Sequence, residues 1–289
     1  MSAAIKGGIT GVIDGAMATH QKAPSSDPLW CEILTGVATQ AEREPILASF
    51  LHATILNHAT LEQALSFHLA NKLDSAVAPA LLIREVIDEA LAADAGIGRA
   101  VRADLSAFYQ RDSACQSLYE AFLFFKGFHA LQAYRVAHWL WRQQRRSLAL
   151  FLQHRISVVF SVDIHPAATL GQGILLDHAT GIVIGETAVV EDNVSIMQSV
   201  TLGGTGKESG DRHPKVRRGV LIGAGSKVLG NIEIGRCTQV ASGSVVLKSV
   251  PEKKLVAGVP ARVIGDASCE QPALSMDQCA LTQVDLQLP

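Results

Sequence analysis

"VRRGVLIGAGSKVLGNIEIGRCTQVASGSVV", residues 216–246, carries a branched aliphatic residue at every sixth position: Val216, Ile222, Val228, Ile234, Val240 and Val246. A period of six fits neither the 3.6-residue helix nor the two-residue alternation of a simple amphipathic strand, so the stretch is an internal repeat. Each hexad is read as one short strand whose branched residue points inward onto its equivalent in the next coil. Three hexads close a triangular coil of about eighteen residues. Small residues next to the branched ones, such as Gly223, Gly235 and Ala241, permit the corners. One coil cannot bury its inward residues alone, so the stack needs several turns and a cover over its ends.

Upstream, Ile164, Leu170 and Leu176 keep the spacing, and after a two-residue slip Ile184, Val190, Ile196 and Leu202 resume it. Fourteen positions then separate Leu202 from Val216, with no apolar residue at the expected inward site, which predicts a loop bulging from the prism. Its GGTGK is no phosphate-binding P-loop, because Thr201 stands where the first Gly would be needed. The polar intrusions are Asp163 and His165 in VDIHPAA, Asp177 and His178 in LLDHATG, and Asp211, Arg212 and His213 in the loop. Asp163 and His178 are fifteen residues apart, slightly less than one coil, so stacking is expected to bring them within hydrogen-bonding reach. Adjacent strand residues face opposite ways, which assigns Asp177 and His178 different jobs unless a corner turns them together.

From Leu29 to about Val158 the apolar residues recur at helical spacing, as in Leu61, Leu65 and Leu69 with Ala64 and His68 filling the stripe. Thr60 and Gln63 fit a capping box, and Pro79 suits the first turn of the next helix. The aromatic and histidine residues of GFHALQAYRVAHWLWRQQRRSLALFLQHRISVVF are read as helix-packing residues. The expected organisation is α+β with two domains: an N-terminal extension over 1–28, an all-α domain over 29–158, a parallel β-helix over 159–265 and a tail over 266–289.

The net charge of −2 leaves no basic footprint for nucleic acid, and the cluster from Arg142 to Arg146 is expected on a solvated helix face. Cys31, Cys115, Cys237, Cys269 and Cys279 are odd in number and lack CxxC spacing, which favours reduced thiols over disulfides or a zinc site. No secretory h-region is found, and no apolar run reaches the ~18 residues of a membrane span. A soluble, cytoplasmic protein without a metal is expected.

The stretches EPILASFLHATIL, KGFHALQAYRVAHWLW, VDIHPAA, LLDHATGIVIGETAVVEDNVSI, SVTLGGTGK, DRHPKV and GVPARVIG resemble the serine acetyltransferases, over roughly residues 30 to 265. The resemblance implies a left-handed β-helix, trimers paired through their helical domains into a hexamer, and active sites between neighbouring β-helices. It implies acetyl transfer from acetyl-CoA to L-serine, the first step of cysteine synthesis from serine, and feedback inhibition by L-cysteine. His178 then resembles the general base and Asp163 the carboxylate orienting it. Arg212 and His213 match the residues for the serine carboxylate, and Asp112 and Asp177 those at its ammonium end. Gly203, Gly204, Ala224, Gly225 and Gly243 are the candidates for CoA contacts, with Arg262, Lys253 and Lys254 near its phosphates. The family's Pro after Asp112 is Ser113 here, and its common Gly is Ala241, whose methyl either pinches the cofactor groove or points away. The family's C-terminal Ile, which enters O-acetylserine sulfhydrylase, is absent from the Leu288-Pro289 terminus.

Three other readings share parts of this pattern. A sugar acyltransferase on the same scaffold leaves the helical half and Asp112 without a role. A γ-type carbonic anhydrase requires His165, His178 and His213 to converge on zinc. A catalytically silent, cysteine-binding scaffold requires no turnover.

Overall fold

A computed structural model of the chain describes residues 26–206, 209–267 and 269–278. Most of the expected N-terminal extension, Cys279 and the Leu288-Pro289 terminus lie outside the described residues, as does Lys207 of the loop. The helical half comprises α1 (Pro28–Arg43), α2 (Pro45–Leu51), continued by a wider helical turn over His52–Leu56, α3 (Leu61–Leu73), α4 (Ala80–Ala93), α5 (Ala95–Arg111), α6 (Leu118–Phe124), α7 (Lys126–Arg142) and α8 (Arg146–Phe160). Among the described residues no helix is long and apolar enough to cross a membrane.

Local sequence sets the helix ends. The Asp27 carboxylate accepts from the amides of Leu29 and Trp30, satisfying free donors at the start of α1. Thr60 accepts from the Gln63 amide as a capping box requires, but the Gln63 side chain accepts from Ala59 instead of returning to Thr60. Pro79 occupies the cap position of α4, one residue before the first turn. The arginine cluster straddles the turn between α7 and α8, with Arg142 and Arg146 exposed at the two helix ends: Arg145 pairs with Glu89, and Arg146 stacks over Trp141.

The stripe Leu61, Ala64, Leu65, His68 and Leu69 is buried on α3, as its spacing demands. His68 donates from Nε2 to the Leu123 carbonyl at 3.1 Å, and His129 on α7 donates from Nε2 to the Phe122 carbonyl at 2.7 Å. Together they satisfy carbonyls at the end of α6 that have no partner within the helix. Burial pushes the His68 pKa down to about 4 and that of His129 well below the ordinary imidazole value.

Beyond Phe160 the chain winds into short strands: β1 (Val162–Ile164), β2 (Thr169–Leu170), β3 (Leu175–Leu176), β4 (Ile182–Ile184), β5 (Val189–Val190), β6 (Ser195–Ile196), β7 (Thr201–Gly203), β8 (Lys215–Val216), β9 (Leu221–Ile222), β10 (Lys227–Leu229), β11 (Glu233–Ile234), β12 (Gln239–Val240) and β13 (Val245–Val246). The hairpin β14 (Lys254–Gly258) and β15 (Ala261–Asp266) and a short helix α9 (Pro272–Ser275) follow. Three parallel sheets form the prism walls: β1-β4-β7-β10-β13, β2-β5-β8-β11, and β3-β6-β9-β12-β14, with β15 antiparallel on β14. This is a hexapeptide β-helix of about five coils.

The hexad residues form the predicted inward columns. Ile164, Ile184, Leu202, Val228 and Val246 stack in the first, Leu170, Val190, Val216 and Ile234 in the second, and Leu176, Ile196, Ile222, Val240 and Val256 in the third. All are buried. Each such burial contributes roughly 1.5–3 kcal/mol.

Helix α7 lies on the first coil and covers its end, as the solenoid requires. Tyr134 donates to the Ala168 carbonyl and His138 to that of Pro166. Arg135 reaches both the Gly171 carbonyl and the Asp104 carboxylate of α5, and the second oxygen of Asp104 accepts from the Ile174 amide. Gly127 touches the strand backbone so closely that a Cβ there would stand 2.0 Å from the Leu176 carbonyl oxygen.

The buried histidines predict the acid response of the helical half. Because His68 takes up its proton far more readily when unfolded, stability is full above the ordinary imidazole pKa and falls as pH drops from about 6.5 toward 4. His68→Gln, which retains a donor for Leu123, should reduce the stability lost between about pH 7 and about pH 5 by roughly 2 kcal/mol in urea unfolding. An identical loss in the two proteins contradicts the assignment.

Candidate active site

Coil length identifies where polar residues leave the repeat. Ile184 to Leu202 and Val228 to Val246 are eighteen residues each, the regular coil, but Ile164 to Ile184 is twenty and Leu202 to Val228 is twenty-six. The two extra residues lie in the LLDHATG corner between β3 and β4, and the eight extra form the loop between β7 and β8.

At the corner, His178 and Ala179 take left-handed backbone angles, φ 53° and 61°. Such angles cost roughly 1–2 kcal/mol each for a residue with a side chain. Hydrogen bonds hold the turn: Thr180 N to the His178 carbonyl at 2.8 Å, and Gly181 N to that of Ser161 at 2.7 Å. The corner turns both polar side chains to one side, so His178 Nε2 lies 3.8 Å from Asp177 Oδ1. The imidazole is 71% exposed, while Asp177 is largely covered. Burial, together with the negative charge of Asp112, raises the Asp177 pKa above the usual carboxylate value. Asp112 caps α5 and accepts from the Ala114 amide, which brings a helical-half carboxylate to this corner. A cavity of about 360 Å³ opens here, lined by Asp112, Phe124, Lys126, Asp177 and His178 among others. Lys126 donates to Thr180, tying the start of α7 to the corner.

As the ring stands, no hydrogen bond or ion pair joins Asp163 to His178 within the chain. Asp163 Oδ1 accepts from Gln153 Nε2 of α8 at 2.6 Å. The reason is the long coil: Asp163 registers with Val183, and the extra residues leave His178 at a corner before that strand begins.

The loop is drawn to the next corner by Glu186 and Thr187. Arg212 pairs with Glu186 at 2.8 Å, which holds the Glu186 carboxyl below its usual pKa. Thr187 Oγ1 accepts from the amides of Arg212 and His213 at 3.0 and 3.1 Å. The His213 ring lies against Gly185, where a Cβ would stand 2.0 Å from its Nε2. Burial lowers the pKa of His213 and of His165. Strand β4 separates the two corners, so His178 and His213 flank opposite edges of one sheet, roughly 10 Å or more apart. Among the described residues no three His, Cys, Asp or Glu side chains gather to hold a metal, so His165, His178 and His213 do not converge within one chain.

Residues 29–133 match the family model described as the N-terminal region of serine acetyltransferase. Over 250 residues the chain is 57% identical to the serine acetyltransferase of Escherichia coli strain K12, covering 86% of this chain and 92% of that one. The chain belongs to the serine acetyltransferase family. A solved serine acetyltransferase in complex with cysteine superimposes with a TM-score of 0.85 at 54% identity, covering 86% of this chain and 97% of the other. The Brucella abortus serine acetyltransferase in complex with coenzyme A does so with 0.83 at 53%, covering 84% and 97%.

The family's candidate CoA residues fall on two edges of the β1-β4-β7-β10-β13 sheet. Gly203 and Gly204 stand where the loop departs, next to the Arg212 stem. Ala224, Gly225 and Gly243 stack on the coils above His178, with open space around Gly225 and Gly243. Ala241 is buried against Leu255 in the terminal hairpin. Lys254 pairs with Asp266, and Lys253 and Arg262 are both exposed but stand at opposite ends of the hairpin, Lys253 beside Ala267 and Arg262 across from Ala257. Ser113 is exposed in the turn after Asp112, and its carbonyl accepts from Gln116.

Sequence reading missed Lys126, Gln153, Glu186 and Thr187. Glu186 and Thr187 were legible as polar residues just past the inward Ile184 and Gly185, at the same corner position as Pro166-Ala167 one coil earlier. For Gly127, whose contact seats α7 on the corner, replacement by Ala should lower stability by about 1–3 kcal/mol through overpacking. A urea midpoint equal to that of the unsubstituted protein contradicts this seating.

Proposed function

We propose that this chain transfers the acetyl group of acetyl-CoA to the hydroxyl of L-serine, giving O-acetyl-L-serine and CoA. The observation that carries the reading is the corner itself: an accessible imidazole beside a cavity with two acidic side chains, in a chain of this family. His178 accepts the hydroxyl proton as the oxygen attacks the thioester carbonyl. When the tetrahedral intermediate collapses, the imidazolium returns that proton to the departing sulfur. An imidazole exchanges a proton readily near neutral pH, so the neutral ring serves as base in the first step and the protonated ring as acid in the second. Asp112 and Asp177, whose like charges oppose each other, gain from a substrate ammonium between them. Asp163 takes the orienting role once the exposed His178 ring turns toward the sheet.

Arg212 and His213 take the serine carboxylate, since a guanidinium offers two parallel donors. Because they flank the far edge of the sheet, they are assigned to the corner of a neighbouring chain. A trimer of prisms supplies that arrangement, with CoA along the groove between chains, over Gly203, Gly204, Ala224, Gly225 and Gly243, and its phosphates toward Arg262. Exposed Ile46, Leu47 and Phe50 on α2 and Leu81 and Leu82 on α4 support pairing of trimers through the helices into a hexamer. Cysteine, sharing the ammonium and carboxylate of serine, fits the same contacts, which makes it an inhibitor competing with serine. A cytoplasmic location goes with this metabolism.

Free thiol should appear from acetyl-CoA only when L-serine is present; release without serine, or none with it, contradicts the activity. His178→Ala should lower kcat by roughly 10² to 10⁴ with little change in KM. Arg212→Ala should instead raise the KM for serine. An unaltered kcat in the first, or a KM effect confined to acetyl-CoA in the second, overturns the respective role.

A further inference from the structure

Thr187 is bonded to the Arg212-His213 loop through every polar group it has. Its hydroxyl oxygen accepts the amides of Arg212 and His213. Its carbonyl accepts from Lys215 Nζ at 2.8 Å, an ammonium that also reaches the His213 carbonyl and Asp211. Its own amide points at His213 Nδ1 from 3.2 Å, and its hydroxyl lies 2.8 Å from the same nitrogen.

The backbone amide decides the chemistry, because it can only donate. His213 Nδ1 must accept, so the neutral ring carries its proton on Nε2. The hydroxyl, already accepting two amides, has its one proton to share between Nδ1 and the Asp211 carboxylate, both of them acceptors, so the amide alone fixes the acceptor role of Nδ1. Gly185 beneath the ring fixes its place, since any side chain there would collide with Nε2 and Cδ2. Arg212, Lys215, Glu186 and His165 surround the imidazole, and the two cations oppose a further positive charge on it.

We propose that Thr187 is a positioning residue that holds His213 in its Nε2–H form, so the loop presents a fixed neutral donor beside Arg212 to the carboxylate of the amino-acid substrate. This rests on the assignment of Arg212 and His213 to the serine carboxylate. Neutrality matters because a neutral donor binds the carboxylate without forming a second ion pair, and its direction excludes the tautomer that would turn a lone pair toward the ligand.

Side-chain mimicry tests it. Glutamine can place an amide N–H near the position of Nε2, whereas the shorter asparagine places its N–H near Nδ1. His213→Gln should keep kcat/KM for serine at least about ten-fold above that of His213→Asn, the scale of one hydrogen bond to a charged group. Thr187→Val should raise the serine KM about ten-fold while leaving the acetyl-CoA KM in place, and Thr187→Ser should recover most of the loss. Asparagine equal to or better than glutamine, or a serine KM unmoved by Thr187→Val, overturns the proposal. A substrate-free measurement separates it from the activity assignment. In the full chain labelled with ¹⁵N-histidine, the His213 signals, identified by their loss in His213→Gln, should show an unprotonated Nδ1 and a protonated Nε2 near neutral pH. Thr187→Val should mix the two forms. A protonated Nδ1 in the unsubstituted chain overturns the Thr187 role even if serine is the substrate. The expected spectrum with no serine-dependent turnover leaves that role standing and removes the substrate.

Discussion

Inward stacking of one branched residue on the next is the constraint that organises this molecule. Leu176 on Ile196, Ile196 on Ile222 and Ile222 on Val240 can stay in line only if each coil returns to the same place, so the regular coil has little freedom in length. Extra residues have one exit, outward at a corner. The two longest coils are therefore the ones that carry His178 and Arg212-His213. The site consists of what the repeat expels, held by a scaffold whose interior does not yield.

The helical half serves the same corner from the other side. Helix α7 covers the open end of the first coil, and its approach is set by Gly127 against the strand backbone and by Arg135 between Asp104 and Gly171. A buried ion pair contributes little net stability against hydrophobic replacements but is costly to break. Here each Asp104 oxygen is satisfied, by Arg135 and Gln132 on one side and the Ile174 amide on the other. The pair fixes α5 and α7 relative to the coil, and those helices deliver Asp112 and Lys126 to the cavity. Both halves are consequently needed to build one pocket.

Much of this was legible in the sequence, for identifiable reasons. The six-residue period named the inward columns without error, because a β-helix leaves each inward position so little chemical choice. Departures from the period marked both site corners. What the period did not convey was the direction of side chains at those corners: Asp163 registers with Val183 and gives one oxygen to Gln153, and its approach to His178 depends on how the corner turns the exposed ring. The corner position of Glu186 and Thr187 was readable from the period, but their roles escaped because they depend on contacts with Arg212 and His213 across the loop, which no spacing encodes. The buried Asp104–Arg135 pair was hidden likewise, its partners lying on different helices.

Single-chain geometry leaves the two polar corners on opposite edges of one sheet, with β4 between them. The account therefore rests on a site shared between chains, one contributing His178 and its neighbour Arg212. The most direct measurement is complementation by mixed assembly of His178→Ala chains with Arg212→Ala chains, each nearly inactive alone. Random co-assembly should restore up to about a quarter of the unsubstituted activity, the share of interfaces that retain both residues. Mixed assemblies as inactive as either parent would show that both residues act within one chain, and would contradict the account.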